Sequence, residues 1–307
     1  MNTSPVFLLA PRYVLGEVEE PYTAVDDLPG RVAQYGIPLA PDTWGWGSFF
    51  RTGRSTVDLA VDSGAATLTA VGVPPSTVDG LVVCTSAVPG SVDDHAAFLG
   101  AIVRGLGLSG VSFACGVTLN RCNNLLAALH LARPLVACGA HRRVLVVTAD
   151  RIVDEAVRLE KFALFSDGAA SCLLTAVQGP GAFAVLATAA AQDAGALGGE
   201  DQIDPRLAVA VNGELERVTG VSPEKVTAVL PANLVRPLLT LKERQAGFRA
   251  EQVRTDNVAR VGHCFAADPL VNLADLVAAG GARPDGLYLL ASSVPGARHG
   301  VLLRKLT

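Results

Sequence analysis

Hydrophobic positions along the chain alternate between helical spacing and short continuous runs. Residues 55–71 carry small and apolar side chains at the spacing of one helix face, and residues 93–105 and 122–138 repeat that pattern. Apolar runs of the kind found in strands buried on both faces separate these segments. The strands predicted in this way are 81–86, 111–119, 142–150, 169–177 and 182–190. Alternating helices and strands predict an α/β fold with helices covering a central sheet.

Two sequence echoes indicate an internal repeat. GVPPSTVDGLVV starts at residue 72 and GVSPEKVTAVLP at residue 220, an offset of 148, and each follows a predicted helix and precedes a predicted strand. LVACGAHRRVLVV from residue 135 is echoed by LVAAGGARPDGLYLL from residue 276, an offset of 141. Helix–Gly–strand segments are also common in unrelated α/β proteins, but two echoes in the same order favour duplication of one βαβ-type unit. We predict two halves, residues 1–175 and 176–307.

The second offset relates two residues with chemical potential. Residues 122 and 263 are 141 positions apart, so Cys122 and His263 occupy equivalent places in the two halves, each ahead of a predicted helix. If the halves pack about a pseudo-twofold axis, these places can face each other. A thiol beside an imidazole is an established way to make a thiolate nucleophile. The repeat therefore predicts a Cys–His pair built from both halves.

Cys122 has a plain structural alternative, which is a cysteine packed in the core. Its position at the junction of a predicted strand and helix favours chemistry, because a helix N-terminus stabilises an anion. A polar cluster inside an otherwise apolar stretch also needs a reason. That cluster is Asn120, Arg121, Asn123 and Asn124.

Asp268 also has two interpretations. It precedes Pro269 and a helical pattern, which is typical of a helix N-cap with proline at the first helical position. It can instead orient and charge His263, five residues earlier. One side chain could serve both purposes.

Composition and charge narrow the function classes. The chain has 307 residues, 50% of them hydrophobic, and a formal net charge of −4, so it is long enough for a large core and has no basic excess for nucleic acid. No apolar run is long enough to span a membrane, and the first residues do not resemble a signal peptide, so we expect a cytoplasmic protein. The six cysteines are scattered, so we predict no disulfide framework and no metal site, and five of them need only be core residues.

Three further motifs carry weaker signals. GLGLSG at 105–110 has dinucleotide-loop spacing, but it follows a predicted helix instead of a strand, so we discount it. FALFSDGAASCLL at 162–174 indicates a tight turn entering a buried strand. Trp44 and Arg51 belong to an aromatic–basic cluster that is either a hydrophobic flap or a lid in which Arg51 meets a phosphate and Trp44 stacks on a base.

In order along the chain, these segments resemble the ketoacyl-acyl-carrier-protein synthase III group of the thiolase fold. The resemblance rests on PSTVDGLVVCTS, LNRC opening a helix, GAHRRVLVVTAD, LFSDGAASCLL and VGHCFAAD, and it covers nearly the whole chain. It implies a layered αβαβα fold made of two duplicated halves and a homodimer. It also implies that the segment 190–206 is short for the family, which would open the acyl pocket.

The resemblance implies roles for individual residues. Cys122 matches the nucleophile that takes an acyl group from acyl-CoA or an acyl-carrier protein, with no other cofactor. Backbone N–H groups at Cys122 and near Ser292–Ser293 would hold the oxyanion, and Asn233 would line the pocket. Trp44 and Arg51 resemble carrier-binding residues. Ser293, Asn233, Trp44 and Arg51 are accordingly predicted substrate-binding residues.

Two departures from the family pattern decide the predicted function. Ala232 stands where the family has a histidine, and His263 stands where it has an asparagine. A decarboxylating condensation needs donors on the thioester oxygen, and alanine cannot donate. Transfer to a hydroxyl or amine instead needs a base, which His263 oriented by Asp268 supplies. We predict an acyltransferase acting on a small-molecule, natural-product acceptor. The alternatives are a decarboxylating 3-oxoacyl synthase and an inactive partner subunit of a heteromeric synthase.

Overall fold

Helices and strands alternate along the chain as the hydrophobic pattern predicts. The computed structural model describes residues 4–87, 90–199 and 204–307. The helices are α1 (Leu28–Gln34), α2 (Pro41–Trp44), α3 (Thr56–Val71), α4 (Val92–Gly105), α5 (Asn124–Ala137), α6 (Pro205–Thr219), α7 (Arg236–Gln245), α8 (Asp256–Arg260) and α9 (Asp268–Ala278). The strands are β1 (Phe7–Leu15), β2 (Val18–Pro21), β3 (Ser48–Arg51), β4 (Gly80–Cys84), β5 (Phe113–Val117), β6 (Arg143–Asp150), β7 (Leu159–Glu160), β8 (Ala163–Leu164), β9 (Gly168–Thr175), β10 (Phe183–Gln192), β11 (Ala228–Pro231), β12 (Leu287–Val294) and β13 (Ala297–Lys305).

The predicted elements agree with the observed ones to within a few residues. Helix α3 begins at a capping box, in which the Ser55 hydroxyl accepts from the Asp58 N–H and the Asp58 carboxylate accepts from the Ser55 N–H. A second capping box, Ser91 with Asp94, begins α4. The helix predicted from residue 122 opens as a 3-10 turn, Arg121–Asn123, before α5. The discounted GLGLSG motif lies between α4 and β5, as its helix-then-strand context predicts.

The main sheet shows the duplication directly. Within the described residues it has nine strands in the order β11-β12-β13-β10-β1-β9-β6-β4-β5. Outward from its centre, β1, β9, β6 and β4 on one side match β10, β13, β12 and β11 on the other. Both sides share the same directions, antiparallel twice and then parallel. β5 extends one side, and a single parallel bridge between Val229 and Val253 stands at the equivalent place on the other.

The two sequence echoes adopt the same backbone. Gly72 and Gly220 end α3 and α6 with φ of 74° and 70°, a left-handed conformation that favours glycine. A 3-10 turn follows each glycine, at Pro75–Thr77 and Pro223–Lys225, and then a strand begins, β4 or β11. The internal repeat predicted from the sequence is therefore confirmed.

Three core clusters define five layers. The central cluster joins α5 and α9 to strands from both halves. A second cluster packs α3 and α4 on the outer face of β1, β4, β6 and β9, and a third packs α6 and α7 on β10, β11, β12 and β13. The two halves of the nine-stranded sheet thus form two layers on either side of the central helices. The resulting order of helix, sheet, helix, sheet, helix is the predicted layered α/β fold.

The central layer brings the starts of α5 and α9 together, and the predicted chemistry lies at these starts. The division of the chain at residues 175 and 176 stays a prediction. No helix in the described ranges is long and apolar enough to cross a membrane.

Candidate active site

Cys122 lies in the 3-10 turn that precedes α5, and the other half of the molecule holds this turn in place. The Ser292 hydroxyl on β12 donates to the Cys122 carbonyl at 3.0 Å, and the Asn123 amide donates to the Ala297 carbonyl at 3.3 Å. Arg121 has φ of 50°, a strained backbone for a residue with a side chain, immediately before the cysteine. The half-buried thiol is therefore presented from a rigid turn.

Asn124 explains part of the polar cluster around Cys122. Its side-chain oxygen accepts from the Asn120 N–H at 2.9 Å, and its amide donates to the Thr85 carbonyl at 3.2 Å. Asn123 and Asn124 are both fully buried. These asparagines tie the turn to Thr85, just after β4, and to β13, so they hold the position of the thiol.

His263 is held by backbone bonds and aromatic rings. Its N–H donates to the Leu164 carbonyl at 2.7 Å, and its carbonyl accepts from the Ser166 N–H at 2.9 Å. Its ring lies 4.9 Å from the Phe165 ring and 6.2 Å from the Phe265 ring, measured between centroids. The FSDG segment, residues 165–168 of the FALFSDGAASCLL motif, therefore builds one wall of the site.

Gly262 makes the approach of His263 possible. It has φ of 71°, and a Cβ at this position would lie 2.7 Å from the Leu164 carbonyl oxygen. Residues 121 and 262 are 141 positions apart, and both have positive φ. The cysteine and the histidine are thus presented by equivalent left-handed turns.

The thiol, imidazole and carboxylate form one chain of contacts. The Cys122 Sγ lies 3.0 Å from the His263 Nε2, and the His263 Nδ1 bonds the Asp268 carboxylate. His263 and Asp268 have no exposed surface. Because the aspartate binds Nδ1, the ring is oriented with Nε2 toward the sulfur.

Asp268 does not cap its helix, so that interpretation was wrong. It is the first residue of α9, and the N-cap position is Ala267. Its carboxylate accepts from the N–H groups of Asn233 at 2.6 Å and Cys264 at 2.7 Å as well as from His263. With the Asn233 side-chain amide, four donors from three residues converge on this carboxylate, which fixes its position against the imidazole.

Asn233, expected at the pocket wall, is buried behind His263 instead. Its amide donates to the Gly262 carbonyl at 2.9 Å and to Asp268, and its oxygen accepts from Asn272 at 3.0 Å. These bonds fix the loop and the carboxylate that support the histidine. Ala232 beside it is buried and has no polar side-chain atom.

The charge of the site favours a protonated His263. Burial lowers the pKa of His263, but the Cys122 thiolate and the Asp268 carboxylate outweigh that effect and raise the pKa to about 10. The imidazolium form of His263 is therefore favoured at neutral pH.

Cys122 opens to a pocket of about 640 Å³. Aromatic side chains from the FSDG segment and from the turn before α9 line it, together with Arg121, Ser86 and Gly199. The sequence analysis did not place Arg121, Ser86 or the phenylalanines in a pocket. Ser86 and the phenylalanines are far from Cys122 along the chain, so the sequence does not show that they meet it. Part of the segment predicted to open this pocket, residues 200–203, lies outside the described residues.

Trp44 and Arg51 do not line this pocket, and their contacts match the hydrophobic-flap interpretation. Trp44 packs on Trp46 with ring centroids 6.3 Å apart and donates its indole N–H to the Pro38 carbonyl at 2.8 Å. Arg51 forms ion pairs with Glu20 and Glu155, each at 3.2 Å. Two carboxylates already hold the guanidinium, so the structure does not present it to a phosphate.

Ser293 lies in a buried ionic cluster next to the site. Its hydroxyl accepts from Arg298 at 3.0 Å and Lys242 at 3.3 Å, and Arg298 makes a bidentate pair with Glu243 at 2.7 and 2.9 Å. Burial lowers the pKa of Lys242 to about 8. Although burial opposes it, the two cations lower the pKa of Glu243 to about 2. Ser293 thus supports β12 from behind and does not line the pocket described above.

Asp150 is a buried carboxyl near the site that the sequence reasoning did not single out. Its Oδ1 accepts from the Ser86 N–H at 2.6 Å and the Thr85 hydroxyl at 3.1 Å, while its Oδ2 has no partner among the described residues. Burial, against the lowering effect of these hydrogen bonds, raises the pKa of Asp150 to about 7.

All six cysteines are free, and their environments differ. Cys84, Cys172 and Cys264 are buried, and burial raises the pKa of each thiol. Cys138 is exposed at the end of α5, so the expectation that all cysteines other than Cys122 are core residues was wrong there. Within residues 4–87, 90–199 and 204–307, no His, Cys, Asp or Glu cluster is arranged to hold a metal ion.

Comparison with known proteins gives a consistent family. Residues 118–194, which include Cys122, match the model of 3-oxoacyl-[acyl-carrier-protein] synthase III. A curated β-ketoacyl-[acyl-carrier-protein] synthase III from Rubrobacter xylanophilus is 30% identical over 137 residues, which is 44% of this chain and 42% of that relative. Over these residues the chain is similar to synthase III. The sequence match spans less than half the length of the curated relative.

Solved structures show that this chain has the thiolase-like fold. ChlB3, described as an acyltransferase, superposes with a TM-score of 0.82 at 19% identity, covering 99% of this chain and 98% of that one. The synthase III of Pseudomonas aeruginosa PAO1 gives a TM-score of 0.80 at 20% identity, covering 99% of both chains. AbyA1, described as a tetronic acid condensing enzyme, gives 0.76 at 19% identity, covering 97% of this chain and 99% of that one.

Proposed function

We propose that this protein is an acyltransferase that moves an acyl group from acyl-CoA or an acyl-carrier protein to a hydroxyl or amine of a small-molecule acceptor. The observation that carries the proposal is the Cys122–His263–Asp268 chain of contacts beside Ala232. Such a chain supplies a nucleophile and a base, whereas a condensing site needs a donor that alanine lacks. The acyltransferase description of ChlB3, which shares the fold, is in keeping with it.

The first half-reaction loads the cysteine. The Cys122 thiolate attacks the carbonyl carbon of the donor thioester and forms a new S–C bond. The bond to the donor sulfur breaks, and the leaving thiolate takes the Nε2 proton of His263. The products are the acylated cysteine, the free donor thiol and a neutral imidazole.

Loading the cysteine changes the histidine from an acid to a base. In the resting state the pKa of His263 is raised to about 10, in part by the thiolate charge on Cys122. Acylation removes that charge, so the pKa of His263 falls and the imidazole stays neutral, ready to act as a base. It accepts the proton of the acceptor hydroxyl or amine while the acceptor attacks the thioester, and the thiolate–imidazolium pair is restored.

Backbone N–H groups stabilise the oxyanion in both steps in this proposal. The N–H of Cys122 stands at the start of a helix, where such groups have no partner inside the helix. The second donor is assigned to the backbone near Ser292–Ser293, because the Ser292 hydroxyl contacts the Cys122 carbonyl. Ser292 also keeps the turn from moving when the charge develops.

A decarboxylating synthase is the second candidate, and the similarity to condensing enzymes such as AbyA1 favours it. Against it, Ala232 cannot donate to an enolate, and the Asn233 amide is already engaged by Gly262 and Asp268. With a malonyl thioester, release of CO₂ coupled to a carbon–carbon product would establish the condensing reaction.

We also propose that the protein acts as a homodimer in the cytoplasm on a natural-product acceptor. β5 is an edge strand of the main sheet, its Gly116 is exposed, and Leu119 just beyond it is 92% exposed. An uncovered edge strand with apolar neighbours is a surface that a second copy can cover. Sedimentation equilibrium tests the proposed homodimer, and a monomer at micromolar concentration would contradict it.

Mass spectrometry of the intact protein tests the proposed loading step. After incubation with a panel of acyl-CoAs, we expect a mass gain of one acyl group that maps to Cys122. Cys122→Ala should abolish the gain, while Cys138→Ala, which removes the exposed thiol at the other end of the same helix, should keep it. A gain that persists in Cys122→Ala would refute a thioester on this residue.

A further inference from the structure

Arg121 lies in the active-site pocket, although the Cys–His–Asp chemistry does not use it. Its side chain is exposed and lines the same pocket as Cys122. Within the described part of the chain, its guanidinium has no hydrogen-bond or ion-pair partner. A guanidinium with no protein partner in the wall of a pocket can take a planar anion from the ligand.

Hydrogen bonds hold the turn on both sides of Arg121. They fix the backbone position from which the Arg121 side chain extends. The Asn120 N–H before it bonds the Asn124 side chain at 2.9 Å, and the Cys122 carbonyl after it accepts from the Ser292 hydroxyl at 3.0 Å. Consecutive Cα atoms are about 3.8 Å apart. A group bound by Arg121 therefore lies in the same pocket as the acyl carbon on the sulfur.

The other pocket walls combine a large apolar surface with polar side chains, among them Lys161. Phe162, Phe165 and Phe265 present aromatic surface. Glu160 is the one carboxylate among the described lining residues, and it accepts a hydrogen bond from the Tyr35 hydroxyl at 2.9 Å. The complementary ligand has an apolar or aromatic body with one anionic group on the Arg121 side.

We propose that this pocket binds a substrate carboxylate through Arg121, which makes Arg121 a specificity-determining residue. The proposal rests on the transferase function proposed above, and it names a substrate class for that site. A phosphate of the donor does not suit this position, because the pantetheine arm separates it from the thioester. The carboxylate belongs either to the acyl group or to the acceptor.

The test compares two alkylating reagents that differ in one charge. Iodoacetate carries a carboxylate, and iodoacetamide is its neutral counterpart. The rate ratio of iodoacetate to iodoacetamide is measured at Cys122 by peptide mass spectrometry and divided by the same ratio for glutathione. We expect Arg121→Gln to lower this normalised ratio by about three- to tenfold.

The control is Arg206→Gln, which removes the same charge from a side chain that is 86% exposed on α6. It should leave the normalised ratio unchanged. A ratio that is unchanged in Arg121→Gln, or that falls equally in Arg206→Gln, overturns the proposal. Arg121→Met is read in the same way, so the result does not depend on one variant.

Two CoA esters then identify the source of the carboxylate. Succinyl-CoA and butyryl-CoA have acyl chains of equal length, and only the first carries a carboxylate. If Arg121→Gln slows acylation of Cys122 by succinyl-CoA alone, the acyl group carries the carboxylate; if it slows neither while the alkylation ratio falls, the acceptor does. If neither CoA ester acylates the wild-type protein, the proposed transfer from CoA fails for these two acyl groups, and the alkylation ratio still decides the role of Arg121.

Discussion

The Sγ of Cys122 lies 3.0 Å from the Nε2 of His263, although 141 residues separate them along the chain. Each residue follows a left-handed backbone position and precedes a helix of the central layer. The duplication places these two helix starts opposite each other. One half of the protein thus supplies the thiol and the other half supplies the imidazole.

Modifying the thiol should change the protonation of His263. Carbamidomethylation of Cys122 removes the thiolate charge that raises the pKa of His263 toward 10, while Asp268 remains. We expect the pKa of His263 to fall, so that the ring is neutral in the modified protein at a pH where it is protonated in the free one. A pH titration of ring-labelled histidine by NMR measures this. An unchanged His263 titration would remove the proposed switch from acid to base.

Asp268→Asn should impair acyl transfer by about 10²- to 10⁴-fold, because an amide cannot stabilise the imidazolium or hold the same tautomer. The variant also loses an anionic acceptor for the N–H groups of Asn233 and Cys264. Single-turnover kinetics with a pre-acylated protein isolates this step. Asp275→Asn is the control, since Asp275 lies on the same helix and bonds Tyr13 and Asn257. Equal losses in both variants would contradict a specific role for Asp268.

Asp150→Asn should stabilise the protein at about pH 8. The pKa of Asp150 rises from 3.8 to about 7 on folding, so the folded state binds the proton more tightly and stability falls as the pH rises through this range. Removing the charge should raise the free energy of unfolding by about 1 to 3 kcal/mol at about pH 8 and change it little below about pH 4.

Denaturant unfolding at the two pH values checks the Asp150 prediction. Asp167→Asn is expected to act in the opposite direction at about pH 8, because Asp167 pairs with the fully buried Arg158 at 2.8 Å. If Asp150→Asn destabilised the protein at both pH values, the buried charge of Asp150 would not be what lowers the free energy of unfolding at about pH 8.

Arg298→Met should lower the free energy of unfolding by about 3 kcal/mol, because it leaves the buried Glu243 carboxylate without its bidentate partner. Ser293→Ala should cost only about 1 kcal/mol and leave the KM of the acyl donor unchanged, since its hydroxyl bonds Arg298 and Lys242. Arg217→Met, which breaks an exposed pair with Glu214, is the matched control and should change stability little. A raised KM in Ser293→Ala would restore a direct role in substrate binding.

The sequence by itself determined the elements, the duplication and the chemical type of the site. Helical spacing, apolar runs and paired glycines such as Gly72 and Gly220 are local signals, because backbone conformation depends mainly on near neighbours. The offset between the repeats then related Cys122 to His263 without any structure.

Only the tertiary structure decided which side chains share a pocket and which support it from behind. Asn233 follows β11 and Ser293 lies near the end of β12, yet their side chains bond Asp268 and Arg298 inside the core. Arg121 and Phe265 meet in one pocket although they belong to different halves. Side-chain direction depends on packing between distant segments, and a linear pattern of residue types does not contain that information.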